Sequence, residues 1–148
     1  MFRVLRPSAH QRRGAALVEA ALVLPIFFMV VLGIIEFGRA FMVCQVLQNA
    51  AREGCRKAVT GAYTTAAIST DIKNDLKAVG VNSAKVTVSI IVTVDPTNPA
   101  VANNEVSLAT TKDLVAVTVS IPFKDVQLIP GKYLGANTLT GKSSMRHE

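Results

Sequence analysis

The chain has 148 residues, half of them apolar, with 16 Lys and Arg against 10 Asp and Glu and a formal net charge of +6. That length holds one modest domain with an appendage and excludes two full catalytic domains. No Trp and only 5% aromatic residues leave little for a base-stacking platform, and a mean hydropathy of +0.38 is high for a soluble protein.

The excess charge is concentrated at the N-terminus. Residues 1–14 carry Arg3, Arg6, Arg12 and Arg13 and no acid, whereas 15–59 and 60–148 are each nearly balanced. A basic nucleic-acid surface on a folded domain is therefore not expected. The apolar run Ala15–Ile35 follows, 21 residues interrupted only by Glu19. As a helix at about 1.5 Å per residue it spans roughly 30 Å, the thickness of a bilayer core. Thirteen of its positions are Leu, Val, Ile or Phe. At about −0.3 to −0.6 kcal/mol each they outweigh one carboxylate near the end of the span, which costs less than about 3 kcal/mol. Arginines before the run place the N-terminus in the cytoplasm and everything after Ile35 outside.

A removed signal peptide is the competing reading. Its apolar stretch is shorter, about 7 to 15 residues, and ends at a small-residue cleavage site. Here the run passes directly into EFGRAFMVCQVLQNAAREGCRKAV, which still reads as helix. The expectation is a retained membrane helix at 15–35 with an extension over 36–60.

Glu19 has two readings, a carboxylate snorkelling to the headgroups or a partner for another charge. Gly14 is the last residue before the apolar run. Cleavage after it would make Ala15 the N-terminus, and that amine could pair with Glu19 of another subunit. Pro25, inside the run, is either a tolerated membrane-helix proline or a hinge.

Farther on, Phe37, Phe41, Cys44, Gln48, Ala51, Cys55 and Ala58 recur at alternating spacings of four and three, a helix-packing seam broken by Gln48. The outer half of this seam suits the protein's own C-terminal domain, and the inner half suits another helix. Cys44 and Cys55 lie about 16 Å apart along a helix, too far for a disulfide within it. They read as buried small apolar residues or as intersubunit disulfide partners.

RRGAALVEAALVLPIFFMVVLGIIEFGRAF with QNAAREGCRKAV resembles the N-terminal signature of the TadE-like family, minor pseudopilins of the tight-adherence (Tad, or Flp) pilus system. The resemblance covers roughly residues 12–59. It implies cleavage after Gly14 by a membrane aspartic prepilin peptidase that recognises Glu19. It also implies other pilins or pseudopilins and the pilus assembly machinery as partners. Ala20 stands where family members commonly carry an aromatic residue.

Beyond Gly61 the pattern predicts a small α+β head over 61–148. Thr65–Val79 reads as an amphipathic helix with the stripe Ile68, Ile72, Leu76 and Val79. Alternation then predicts strands over Val86–Val94 and Val115–Ile121, joined by a long Pro- and Asn-rich loop, with a third strand over Thr138–Arg146 after the turn-rich IPGKYLGAN. The expected fold class is α+β, a helix packed on an antiparallel sheet behind a long N-terminal helix.

The head holds no phosphate loop, zinc spacing or nucleophile motif, and Asp95, Glu105, Asp113 and Asp125 fit no calcium-loop pattern. No enzyme activity and no cofactor are expected. Two functions remain: a cleaved minor pseudopilin of the inner membrane, and an uncleaved signal-anchored envelope protein whose head binds an adhesion or cell-wall ligand.

Overall fold

The computed structural model describes residues 9–128 and 137–147, with side chains from residue 14 onward. Residues 1–8 of the leader and most of the IPGKYLGAN turn lie outside the described residues.

The chain forms α1 (Ala9–Ala58), α2 (Thr65–Ala78), β1 (Thr87–Thr93), β2 (Leu114–Pro122) and β3 (Thr138–Arg146), with short 3-10 turns between them. It is an α+β protein: a long apolar N-terminal helix, then a three-stranded antiparallel sheet with a second helix packed on it. By compactness the chain divides into 1–37 and 38–148.

In the first unit α1 starts at Ala9, six residues before the apolar run, because nothing in AHQRRG breaks a helix. Pro25 lies inside it. Every large apolar side chain from Leu17 to Ile35 except the half-buried Val31 is exposed, with none of the most apolar stretch buried within the described residues.

In the second unit α1 ends where the sequence places its stop. Arg56 and Lys57 occupy the last turn, where positive charge opposes the helix dipole. Gly61 then adopts φ +66°, a conformation that favours glycine. α2 is capped at its start by the Thr64 hydroxyl, which accepts from the Ala67 N–H at 3.2 Å. At its end Val81 N–H donates to the Leu76 carbonyl and Gly80 N–H to that of Lys77, a Schellman pair around Gly80 at φ +83°. This cap turns Val79 out of the expected stripe. Ile68, Ile72 and Leu76 are buried, but Val79 is 60% exposed.

β2 is the central strand, paired antiparallel with β1 (Ile90 opposite Val117) and with β3 (Gly141 opposite Val119). Strict alternation buries Val115, Val117, Val119 and Ile121 on one face. Ile90 and Val92 join them from β1, and the α2 stripe covers that face. At about 1.5–3 kcal/mol for each fully buried aliphatic side chain, this layer dominates the head's stability.

The connection from β1 to β2 is tied down rather than loose. Val106 and Ala109 enter the core, and Asn104, at φ 54°, accepts the Val92 N–H with its amide oxygen at 3.1 Å. The Glu105 carboxylate accepts the Thr65 N–H at 2.9 Å, adding a negative charge to the N-terminus of α2. Those bonds draw its pKa below the usual range.

Candidate functional site

The first unit carries the cluster expected to be processed. Gly14, Ala15 and Glu19 lie within α1 and are exposed, with exposed Leu17, Val18 and Leu22 around Glu19. The Glu19 carboxylate makes no hydrogen bond or ion pair among the described residues. A Cβ added at Gly14, Gly33 or Gly38 would touch nothing among the described residues, so packing against those residues does not require glycine at any of the three.

The second unit shows how α1 carries the head. The helix buries Val43, Leu47, Ala51, Cys55 and Ala58, with Ala40, Val46 and Ala50 partly covered. That stripe shares Ala51, Cys55 and Ala58 with the predicted seam and departs from it closer to the apolar run. Phe37 is 55% and Phe41 70% exposed, and Cys44 is half-buried. The four-and-three spacing anchored on the two phenylalanines passes over Val43 and Leu47, which are buried.

Two residues set how closely the sheet approaches the helix. At Gly141 an added Cβ would sit 2.3 Å from the Leu47 carbonyl carbon and 2.5 Å from the Gln48 nitrogen, so only glycine fits there. An isolated glycine inside a strand pattern is the signal for such backbone approach. One residue along, the Gln48 amide donates to the Lys142 carbonyl at 2.7 Å and accepts the Lys142 N–H at 3.1 Å. Gln48, the break in the apolar seam, thus occupies the free backbone edge of β3 as a neighbouring strand would.

Cys55 is fully buried beneath the sheet, its thiol donating to the Ser143 carbonyl at 3.1 Å. Burial pushes its pKa up, which suppresses the reactive thiolate. Maleimide added to the folded full-length protein therefore modifies Cys44 and spares Cys55, and both react after denaturation. Mass spectrometry counts the adducts, and rapid double modification of the native protein would contradict the packing.

Asp95, Glu105 and Asp113 are engaged with local donors. Asp95 accepts from the Thr97 N–H and hydroxyl, and Glu105 from Thr65 and Ser107. Asp113 is buried and accepts from the Asp95 N–H (2.9 Å), the Asn98 amide (2.7 Å) and the Thr110 N–H (2.9 Å). On the surface, Lys57 pairs with Asp71 at 3.1 Å and Arg56 with Glu53 at 2.7 Å. Solvent screens both pairs, so neither is a main source of the head's stability.

Fold and site together define an α+β head on a long apolar N-terminal helix that fits a single-pass membrane anchor. The family model described as TadE-like protein matches residues 14–56, from the exposed Gly14 to the last turns of α1. No curated protein and no solved structure matches the chain.

Proposed function

We propose that this chain is a minor pseudopilin that contributes to assembly or structure of a Tad/Flp-type pilus. Its N-terminus lies in the cytoplasm, residues 15–35 cross the inner membrane, and the head lies outside. A prepilin peptidase cleaves between Gly14 and Ala15. The new amine of Ala15 pairs with Glu19 of another pilin-type subunit, neutralising both charges in an apolar setting. The observation that carries this reading is the family match, which begins at Gly14 and includes Glu19.

The exposed apolar face of residues 17–35 supports the reading, since lipid or neighbouring helices must cover it. So do Gly33 and Gly38, whose small size is required by no contact among the described residues and permits close helix approach. The partners are other pilins and pseudopilins, the peptidase, the assembly machinery and membrane lipid. The protein acts by packing and has no catalytic role.

Glu19→Ala, expressed from the native locus, is expected to reduce surface pili to the level of a strain lacking the protein. Its membrane abundance should be unchanged, and Glu19→Asp should retain part of the function. Pilus counts by electron microscopy and immunoblotting of membranes check this. Normal piliation in Glu19→Ala would remove the charge-pairing role.

A further inference from the structure

The two outer edges of the sheet are finished differently. On β3 the edge groups of Lys142 are held by the Gln48 side chain. The registers carry that alternation across the sheet: Lys142 lies opposite Thr118, and Thr118 opposite Ser89. Ser89 therefore bonds to β2, while Val88, Ile90 and Val92 turn their N–H and C=O groups outward. The Val92 N–H donates to the Asn104 amide oxygen at 3.1 Å, as this assignment requires. Val88 and Ile90 have no hydrogen-bond partner for these outward groups among the described residues.

The open stretch also lacks the features that usually blunt a sheet edge. Thr87–Thr93 reads TVSIIVT, without charge or Pro, and pairs with β2 in an unbroken register that leaves no bulge. Thr87, Ser89 and Ile91 are exposed beside it.

We propose that this edge pairs with the same edge of a second copy of the chain, antiparallel about a two-fold axis at Ser89, so that the two sheets become one. Val88 of each copy exchanges hydrogen bonds with Ile90 of the other. The inference names a contact of the proposed pseudopilin but depends neither on cleavage at Gly14 nor on the membrane span.

A second copy is favoured because the open stretch is its own complement. Val88 and Ile90 flank Ser89 symmetrically, so this register satisfies every open group and leaves the Asn104 cap on Val92 in place. Centring on Ile90 would instead set Val88 against the capped Val92. A two-fold contact is also closed, since it consumes the β1 edge of both copies. Charge permits the pairing. β1 contributes none, and the charged residues that flank it in sequence, exposed Lys85 and half-buried Asp95, have opposite signs. Antiparallel order sets Lys85 of each copy near the end of β1 that Asp95 closes in the other. Lys112 and Arg146 belong to that same end but lie beside β2 and on β3, farther from the edge.

The two Ser89 residues would face each other as a non-hydrogen-bonded pair, their Cα atoms about 4.5 Å apart, within reach of a disulfide. Thr87 would face Ile91 of the second copy, leaving the two Thr87 residues about 13 Å apart. Ser89→Cys and Thr87→Cys are each made in the full-length chain carrying Cys44→Ala, with Cys55 buried, and purified in detergent. Under mild oxidation Ser89→Cys is expected to give a disulfide-linked dimer on non-reducing gels and Thr87→Cys to remain monomeric. A Ser89→Cys thiol that reacts with maleimide but forms no dimer would overturn the proposal, as would equal cross-linking in the two variants. Independently, Ser89→Lys sets like charges face to face at an exposed position. It is expected to convert dimer to monomer in sedimentation, and mixing it with Ser89→Glu should restore the dimer. No difference between Ser89→Lys and the parent would overturn the self-pairing. So would cross-linking of Ser89→Cys in native membranes to another protein in place of its own copy.

Discussion

Gly141→Ala lowers the melting temperature of the head by about 15 °C, the largest effect of any single methyl group added to it. The new Cβ would fall 2.3–2.5 Å from three backbone atoms of Leu47 and Gln48, and no rotamer change relieves a clash with a helix backbone. α1 and β3 must separate, which loosens Leu47 in its buried site and breaks both bonds from Gln48 to Lys142. Overpacking of this kind costs about 3 kcal/mol or more, and each kcal/mol shifts the melting point of a domain this size by roughly 5 °C. Gly54→Ala is the control. Its Cβ would meet the Ile72 Cδ1 at 2.7 Å, the far end of a flexible side chain, and helix propensity offsets up to about 1 kcal/mol of the cost. Its melting point is expected to stay within a few degrees of the parent, measured by circular dichroism. Equal losses in the two variants would contradict the close approach at Gly141.

Asp113→Ala has the second largest effect and changes how stability depends on pH. The buried carboxylate gathers the ends of the long connection between β1 and β2. One oxygen accepts from Asp95 and Asn98, the other from the Thr110 N–H and hydroxyl. Removing it strands these donors, and the melting point should fall by on the order of 10 °C. Hydrogen bonds from the Asn98 side chain, then from the Thr110 and Asp95 backbone, lower its pKa from the ordinary 3.8 to about 2. The folded state thus binds the proton less readily than the unfolded chain. The contribution of Asp113 is complete above about pH 4 and is lost as pH falls toward 2. Asp95, held low first by the Thr97 hydroxyl, and Glu105, held low by the Thr65 N–H, act in the same direction. Urea unfolding of the parent should therefore weaken steeply between about pH 4 and pH 2, and that of Asp113→Asn less steeply. Identical slopes would contradict the assignment.

Much of this architecture is legible in the sequence, because burial imposes a period. The alternation at Val115, Val117, Val119 and Ile121 names β2 and its inner face residue by residue, and the spacing of Ile68, Ile72 and Leu76 names the buried face of α2. What is not legible depends on partners far along the chain. The function of Gln48 is set by Lys142, 94 positions away, so within the helix it reads only as an interruption. Full burial of α1 under the head begins at Val43. A heptad line drawn from Phe37 and Phe41 therefore selects residues that the head leaves exposed, and passes over Val43 and Leu47. The role of Asp113 is likewise set by donors scattered over the preceding 18 residues, which no local pattern announces.

The N-terminal cluster has the opposite character. Gly14 and Glu19 stand out in the sequence because a glycine ends the basic leader and a carboxylate interrupts an apolar run, yet among the described residues neither is held by a contact or hydrogen bond. Their meaning lies in processing and assembly, so the decisive measurement is on the protein itself. Intact mass and N-terminal sequencing of the protein isolated from its native membrane are predicted to show a chain that starts at Ala15, having lost the four leader arginines and with them most of its net charge. Retention of residues 1–14 in the mature protein would contradict the pseudopilin account and leave a signal-anchored envelope protein in its place.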